Sequence, residues 1–103
     1  MTKRALKPIP KRLKIGPLTY TVTEVNDMSN VMPGQMAMGC VDFINVTIRL
    51  YSKMSLEKKW AVLMHEIVHA IDENITLELS EDVTDRLAIG LMDALTTNKI
   101  GLL

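Results

Sequence analysis

The sequence predicts a small α+β fold in which an antiparallel sheet of three or four strands is followed by two packed helices. Three observations support this prediction. Apolar and polar residues alternate through residues 18–23 and 46–51, which is the period of a half-buried strand. From Ser55 to Ile75 there is no glycine or proline, and apolar residues recur at spacings of three and four, as in an amphipathic helix. A second segment with helical spacing begins after Ser80.

Length and composition favour one folded domain. The chain has 103 residues, of which 48% are hydrophobic, so a disordered chain is not expected. The first ten residues, MTKRALKPIP, contain two prolines and three basic residues, which is typical of an extended arm. The predicted organisation is a basic N-terminal arm over residues 1–10 and a single domain over residues 11–103.

Charge and hydropathy argue against nucleic acid and membrane as partners. The formal net charge is +0, so no field of the whole molecule attracts either one. The basic arm has no interleaved aromatic residue for base stacking, so we favour a solvated arm over a nucleic-acid-binding one. No run of about 18 apolar residues occurs, and the single cysteine, Cys40, fits a reducing compartment. We expect a cytoplasmic protein in which Cys40 is a small half-buried residue, and the sequence does not indicate the oligomeric state.

The strands are expected in two groups. Residues 11–25 predict two short strands on either side of Gly16-Pro17, and residues 26–39 predict a loop. Residues 40–51 predict a short strand, a turn at the DFIN stretch and a longer strand. The apolar residues expected on one face of each strand are Leu18, Tyr20 and Val22, and then Val46, Ile48 and Leu50.

Both helices carry N-terminal signals. Ser55 can accept a hydrogen bond from the first turn of the first helix, and Ser80 precedes two acidic residues that suit the positive end of the second. The second helix is expected to end near Asn98. The predicted apolar faces are Ala61, Met64, Val68, Ile71 and Ile75 on the first helix, and Val83, Leu87, Leu91 and Ala94 on the second.

The strongest functional signal is HEIVH at residues 65–69. His65 and His69 are four residues apart on a predicted helix and so share one face, where two imidazoles can bind one tetrahedral zinc ion. Glu66 is rotated away from the pair and can instead act as a general base on a water held by the metal. The plainer interpretation is an amphipathic helix whose histidines cover the core or face solvent. We favour the metal site because both histidines of the chain fall in this one pattern.

A catalytic zinc usually takes a third protein ligand, and here it must come from another element. Asp72 and Glu73 lie about 10–12 Å along the helix from His65, which zinc bonds of about 2 Å cannot bridge. The chain has no third histidine and no cysteine downstream. A carboxylate at the start of the second helix is therefore expected to complete the site.

Two of these carboxylates share a helix face. Glu81 and Asp85 are four residues apart, so one can bind zinc while the other accepts the free N–H of a ligand histidine. We expect Glu81 to be the ligand and Asp85 the hydrogen-bond acceptor, and we expect the small Ala88 to let the helices approach. The swapped assignment, or Asp82 as the ligand, stays open, and Glu78 is the remaining candidate.

These motifs resemble the zincin metallopeptidases whose third ligand is a glutamate. HEIVH followed by LSEDVTD is similar to their first motif and to the E-x-x-x-D helix of that branch, and the order of elements over residues 11–97 is similar to small ImmA/IrrE-like and phage-encoded metallopeptidases. Carried over by position, the resemblance implies His65, His69 and Glu81 as ligands, Glu66 as the base and Asp85 as the supporting aspartate.

The function expected from this resemblance is zinc-dependent hydrolysis of a protein or peptide. An extended substrate is expected to lie beside the sheet edge near VTIRLY, with main-chain hydrogen bonds. No further histidine is left to stabilise an oxyanion, so Tyr51 and Arg86 are candidates, with ordinary surface packing as the plainer interpretation. Mn, Fe or Co are alternatives to zinc. The rival function is a non-catalytic, zinc-containing protein-interaction module.

Overall fold

A computed structural model describes residues 6–28, 38–98 and 101. It confirms the α+β class, with a four-stranded sheet followed by two helices. In chain order the elements are β1 (Arg12–Ile15), β2 (Leu18–Val25), β3 (Gly39–Asp42), β4 (Thr47–Tyr51), α1 (Leu56–Ile75) and α2 (Glu81–Thr97). The predicted loop over residues 26–39 lies largely outside the described residues.

The sheet is mixed, so the expectation of a wholly antiparallel sheet was wrong in part. Its strand order is β1-β2-β4-β3. The β1–β2 and β3–β4 pairs are antiparallel, but β2 and β4 run parallel. The parallel pair arises because β4, the second strand of its hairpin, lies next to β2, the second strand of the first hairpin.

Placing β4 inside the sheet has a consequence for substrate binding. Strand β4 is the most apolar of the strands, and its Ile48 and Leu50 are fully buried. This burial agrees with its inner position in the sheet. A substrate cannot pair with the VTIRLY strand itself, because β4 is hydrogen-bonded on both sides, and the sheet edge near it is β3. The edge strands are β1 and β3.

The core lies between the sheet and α1. Tyr20, Val22 and the two buried β4 residues face Trp60, Leu63, Met64, Val68 and Ala70 of α1. Met64 and Val68 of the predicted stripe are buried, but Ile71 and Ile75 are exposed. The buried stripe is rotated toward Trp60 and Leu63 because the sheet covers that side of α1. The helical period of the sequence does not show on which side the sheet lies. Leu18 and Val46 also differ from prediction: Leu18 is exposed, and Val46 precedes β4 with a φ of 50°.

The described part of the predicted arm lies against this core. Leu6 and Ile9 pack on the buried cluster, and the indole N–H of Trp60 donates to the carbonyl of Lys7 at 2.7 Å. Residues 6–10 are thus held to the domain, while residues 1–5 lie outside the described residues. The division into an arm and a domain stays a prediction.

Helix α2 packs on α1 through small residues. Thr84 and Ala88 are its buried residues, whereas Val83 and Leu87 of the predicted apolar face are 46% and 45% exposed. The predicted face was wrong because α2 turns the neighbouring stripe of Thr84, Ala88, Met92 and Leu95 toward the core. Ala88 does let them approach, as expected. Neither helix, over the residues described, is long and apolar enough to cross a membrane.

Candidate metal centre

Two capped helices position the candidate metal centre. The hydroxyl of Ser55 accepts a hydrogen bond from the backbone of Lys58, and that of Ser80 accepts one from Val83, so each helix begins where its serine predicts. Thr76 ends α1 in the left-handed region. This turn reverses the chain and brings the start of α2 back against the middle of α1.

Three side chains from these helices converge. The Nε2 atoms of His65 and His69 are 3.1 Å apart. Glu81 places Oε1 2.8 Å from Nε2 of His65 and Oε2 3.2 Å from Nε2 of His69. One ligand atom from each residue lies within 4.8 Å of the others, so this group, which we name the metal cluster, could hold a metal ion.

The spacing of the metal cluster fits a small divalent cation. Tetrahedral zinc with bonds of about 2.0–2.1 Å requires ligand atoms about 3.4 Å apart, close to the 2.8–3.2 Å observed. Hydrogen bonds among the same three side chains satisfy these atoms less well than a cation would. If both nitrogens donated to Glu81, two N–H groups would face each other at 3.1 Å, whereas a cation accepts a lone pair from every atom.

The other acidic candidates have different surroundings. Asp85 places Oδ1 3.5 Å from Nδ1 of His65, on the side of the ring away from the metal cluster. Asp82 instead pairs with Arg86 at 3.3 Å on the exposed face of α2. Glu78 lies in the interhelical turn with a φ of 58°. Of the residues described, only His65, His69 and Glu81 form a group with the spacing of a metal site.

Glu66 is buried beside the metal cluster. Its residue exposure is 6%, and burial raises the pKa of its carboxyl against the lowering effect of the two neighbouring histidines. Among charged residues such burial is uncommon unless they are paired. Glu66 is not in the group with metal-ligand spacing, which agrees with the expectation that it is not a third ligand.

Glu81 is held as the charged carboxylate that a metal requires. Burial acts to raise its pKa, but hydrogen bonds with the imidazoles of His65 and His69 and their electrostatic effect outweigh it, so the pKa is lowered. The side chain is 72% exposed. One side of the metal cluster is therefore open to solvent, as a catalytic metal with a free coordination position requires.

A cleft of about 330 Å³ opens next to the metal cluster. We name it the site cleft. Gly39, the first residue of β3, and Met38 just before it lie on one side of the cleft. The polar residues of the helices at the cleft are Lys58, His65, Glu66 and Asp85. The remaining lining residues are apolar and come from α1 and α2.

The contribution of β3 and of Lys58 to the site cleft was not predicted from the sequence. A Cβ on Gly39 would lie 2.6 Å from Cγ1 of Val62 and 3.3 Å from the carbonyl of Arg49, so only glycine lets the edge strand come this close to α1. The available signal was a glycine at the start of a strand, which often marks a close approach of backbone. No sequence signal marked Lys58 beyond its position seven residues before His65.

The remaining candidates do not belong to the cleft. Tyr51 and Arg86, considered for an oxyanion, do not line it. Cys40 is half-buried on β3, as expected, and burial raises the pKa of its thiol against the opposing effect of Arg49. A raised pKa disfavours a nucleophilic thiolate.

Comparison with protein-family models, with curated proteins and with solved structures finds no match to this chain. The zincin resemblance therefore stays a prediction that depends on the HEIVH and SEDVTD motifs.

Proposed function

We propose that this protein is a zinc-dependent peptide hydrolase with Glu66 as its general base. The observation that carries the proposal is the position of a buried carboxylate, Glu66, at a cleft that is also lined by His65, one member of a His65–His69–Glu81 group with metal-ligand spacing. Zinc is the proposed ion because two imidazoles and one carboxylate are a known catalytic zinc ligand set. The single cysteine supports a cytoplasmic location for this activity.

When bound, zinc supplies a Lewis acid that acidifies water and polarises a carbonyl. The chain supplies the proton transfers. Glu66 takes a proton from the attacking water while the oxygen of that water forms a bond to the peptide carbonyl carbon. Glu66 then delivers the proton to the amine nitrogen as the C–N bond breaks. Asp85 lies 3.5 Å from Nδ1 of His65, where accepting the N–H of the ring would fix the tautomer in which Nε2 carries the lone pair.

Strand β3 is the proposed support for the substrate. It is an edge strand, so one side of its backbone is unpaired within the described sheet. Its first residue, Gly39, lines the site cleft beside Glu66. A peptide that added to this edge would bind through main-chain hydrogen bonds and would pass close to the metal cluster.

The test is hydrolysis of unfolded proteins and peptide libraries by the zinc-loaded protein, compared with Glu66→Gln. We expect the variant to retain zinc, because Glu66 is not a ligand, and to lose about 10²–10⁴-fold in rate. Zinc content is measured on both proteins so that loss of metal is not mistaken for loss of the base. Equal hydrolysis by the two proteins, each with zinc bound, would contradict the role of Glu66.

A second candidate function is a non-catalytic, zinc-containing protein-interaction module. The observation that favours it is the number of large apolar side chains exposed on the two helices and the turn between them, where monomeric proteins show few. These residues are Ile71, Ile75, Leu77, Val83, Leu87 and Ile89. Zinc binding without hydrolysis of any peptide in the library would favour this function.

A further inference from the structure

We propose that Lys58 binds a carboxylate of the substrate, so that the site cleft selects peptides with a negative charge about three residues from the cleaved bond. This inference rests on the proposed function and specifies its substrate class. The carboxylate is either the free C-terminus of the peptide or an acidic side chain, since both present the same group to a lysine.

The first support is the distribution of charge in the site cleft. Its acidic residues, Glu66 and Asp85, lie at the end that contains His65. Lys58 is the one permanent cation among the described residues that line it. Between these two ends the lining is apolar and includes Val62, a residue that cannot anchor a charge.

The second support is that local stability does not explain Lys58. It lies in the first turn of α1, where the helix dipole disfavours a positive charge. Lys59 occupies the same unfavourable turn, but its ammonium forms an ion pair with Glu24 at 2.5 Å. Over residues 6–28, 38–98 and 101 no such ion pair is formed by Lys58, and its ammonium is available to a ligand.

The third support is distance. Lys58 and His65 are seven residues apart on α1, which corresponds to about 10 Å along the helix axis. An extended peptide advances about 3.3 Å per residue, so about three residues span this separation. A carboxylate at that position would reach the ammonium while the cleaved bond lies at the metal cluster.

Binding is tested on the zinc-loaded Glu66→Gln protein, which holds peptides without cutting them. The probes are acetylated alanine hexapeptides that have either a free C-terminal carboxylate or a C-terminal amide. A second set of amides carries Asp or Asn at each position in turn. Dissociation constants are measured from NMR shifts of the methyl groups of Val62, Ala88 and Ile89, which line the cleft.

The expected result is about 2–5-fold tighter binding of the carboxylate peptides, which is the range of an exposed ion pair. Adding Lys58→Met removes this preference, and Lys58→Glu reverses it. The matched control is Lys14→Met, which removes the same charge on β1 at the opposite edge of the sheet and leaves the preference unchanged. Tighter binding of the free-acid peptides identifies the C-terminus as the source of the carboxylate, and tighter binding of the Asp peptides identifies a side chain.

Equal binding of acid and amide peptides overturns the inference, as does a preference that survives Lys58→Met or the absence of any shift at millimolar peptide. Failure of the proposed hydrolysis is recognised separately. In that case the wild-type zinc protein cuts none of the peptides, whether or not their binding depends on Lys58. Conversely, hydrolysis without a carboxylate preference would retain the hydrolase and reject Lys58 as its specificity residue.

Discussion

Two clusters of polar side chains in this molecule are built in opposite ways. In the β3–β4 turn, Oδ1 of Asp42 accepts the backbone N–H groups of Ile44 at 3.1 Å and Asn45 at 3.0 Å. Its Oδ2 accepts the amide of Asn45 at 2.9 Å and faces Arg49 at 3.4 Å. Each contact joins an acceptor to a donor within seven residues of chain.

The metal cluster brings together three groups that can each offer a lone pair to a cation. Glu81 is 16 residues from His65, and the two meet only because α2 folds back on α1. The difference teaches how to separate structural from functional polar groups. A cluster whose donors and acceptors match stabilises the fold, whereas two imidazoles and a carboxylate that converge with their ring nitrogens 3.1 Å apart also have the arrangement of ligands to a cation.

The largest effect on zinc affinity is expected when the carboxylate ligand is removed. Glu81→Ala is expected to lower zinc affinity by more than about 100-fold, because residues that only support a ligand already account for about 10–100-fold. The measurement is competition with a chelator of known affinity. The control is Asp82→Ala, which removes a like charge from the same helix turn but contacts Arg86 instead. An equal loss in both variants would show that helix charge, not ligation, sets the affinity.

The next effect concerns the support of His65. Asp85→Asn is expected to weaken zinc binding by about 10–100-fold, because Asp85 faces Nδ1 of the ring at 3.5 Å and a carboxylate there raises the basicity of the ligand. The same chelator competition measures it, with Asp82→Asn as the control. Unchanged affinity would mean that Asp85 contributes to the site cleft without supporting the metal cluster.

A smaller effect is expected at a buried polar atom that belongs to neither cluster. The hydroxyl of Thr84 is fully buried between the helices and has no hydrogen-bond partner among the described residues. Thr84→Val keeps the shape and removes an unsatisfied group, so we expect the free energy of unfolding to rise by about 1 kcal/mol.

Urea unfolding measures this change. Thr96→Val is the contrasting variant, because the hydroxyl of Thr96 donates to the carbonyl of Met92 at 2.7 Å. We expect this substitution not to raise the free energy of unfolding. If Thr84→Val instead lowers stability, the hydroxyl has a partner that the geometry does not reveal.

The smallest effect is expected in the self-satisfied turn. Hydrogen bonds from the backbone and amide of Asn45 hold the pKa of Asp42 below its ordinary 3.8 despite a small opposing effect of desolvation. A lowered pKa in the folded state means that the charged carboxylate contributes stability above pH 3.8, and that this contribution is lost as pH falls through the folded-state pKa.

Asp42→Asn should therefore be less stable than wild type at about pH 7 and nearly equal to it at about pH 2. The measurement is the difference in urea midpoint between the two proteins across this range. Zinc affinity should not change, since the turn is remote from the metal cluster. A difference that grows as pH falls would contradict the assigned hydrogen bonds.

Local sequence signals were sufficient for the elements themselves. Ser55 and Ser80 marked the starts of both helices, and both serines are caps in the structure. DFIN gave the turn between β3 and β4. These features depend on hydrogen bonds between residues two to four apart, which a sequence displays directly.

The faces of the helices were harder to predict. Val83 and Leu87 have the helical spacing of a buried stripe, yet Thr84 and Ala88, one position on, are the residues buried against α1. Apolar side chains occur on more than one side of α2, so periodicity alone could not choose between them. The choice was made by the packing of α2 on the core, which buries Thr84 and Ala88 and partly buries Met92 and Leu95 on the same side.

The sequence by itself determined the α+β class, the limits of the helices and the pairing of two histidines on one face, because each follows from residues close together along the chain. Only the tertiary structure decided that β4 lies inside a mixed sheet, that Gly39 and Lys58 belong to the site cleft, and that Glu81 rather than Asp82 faces the histidines. These are contacts between distant residues. They depend on how the helices and strands pack, and no local period or spacing specifies that packing.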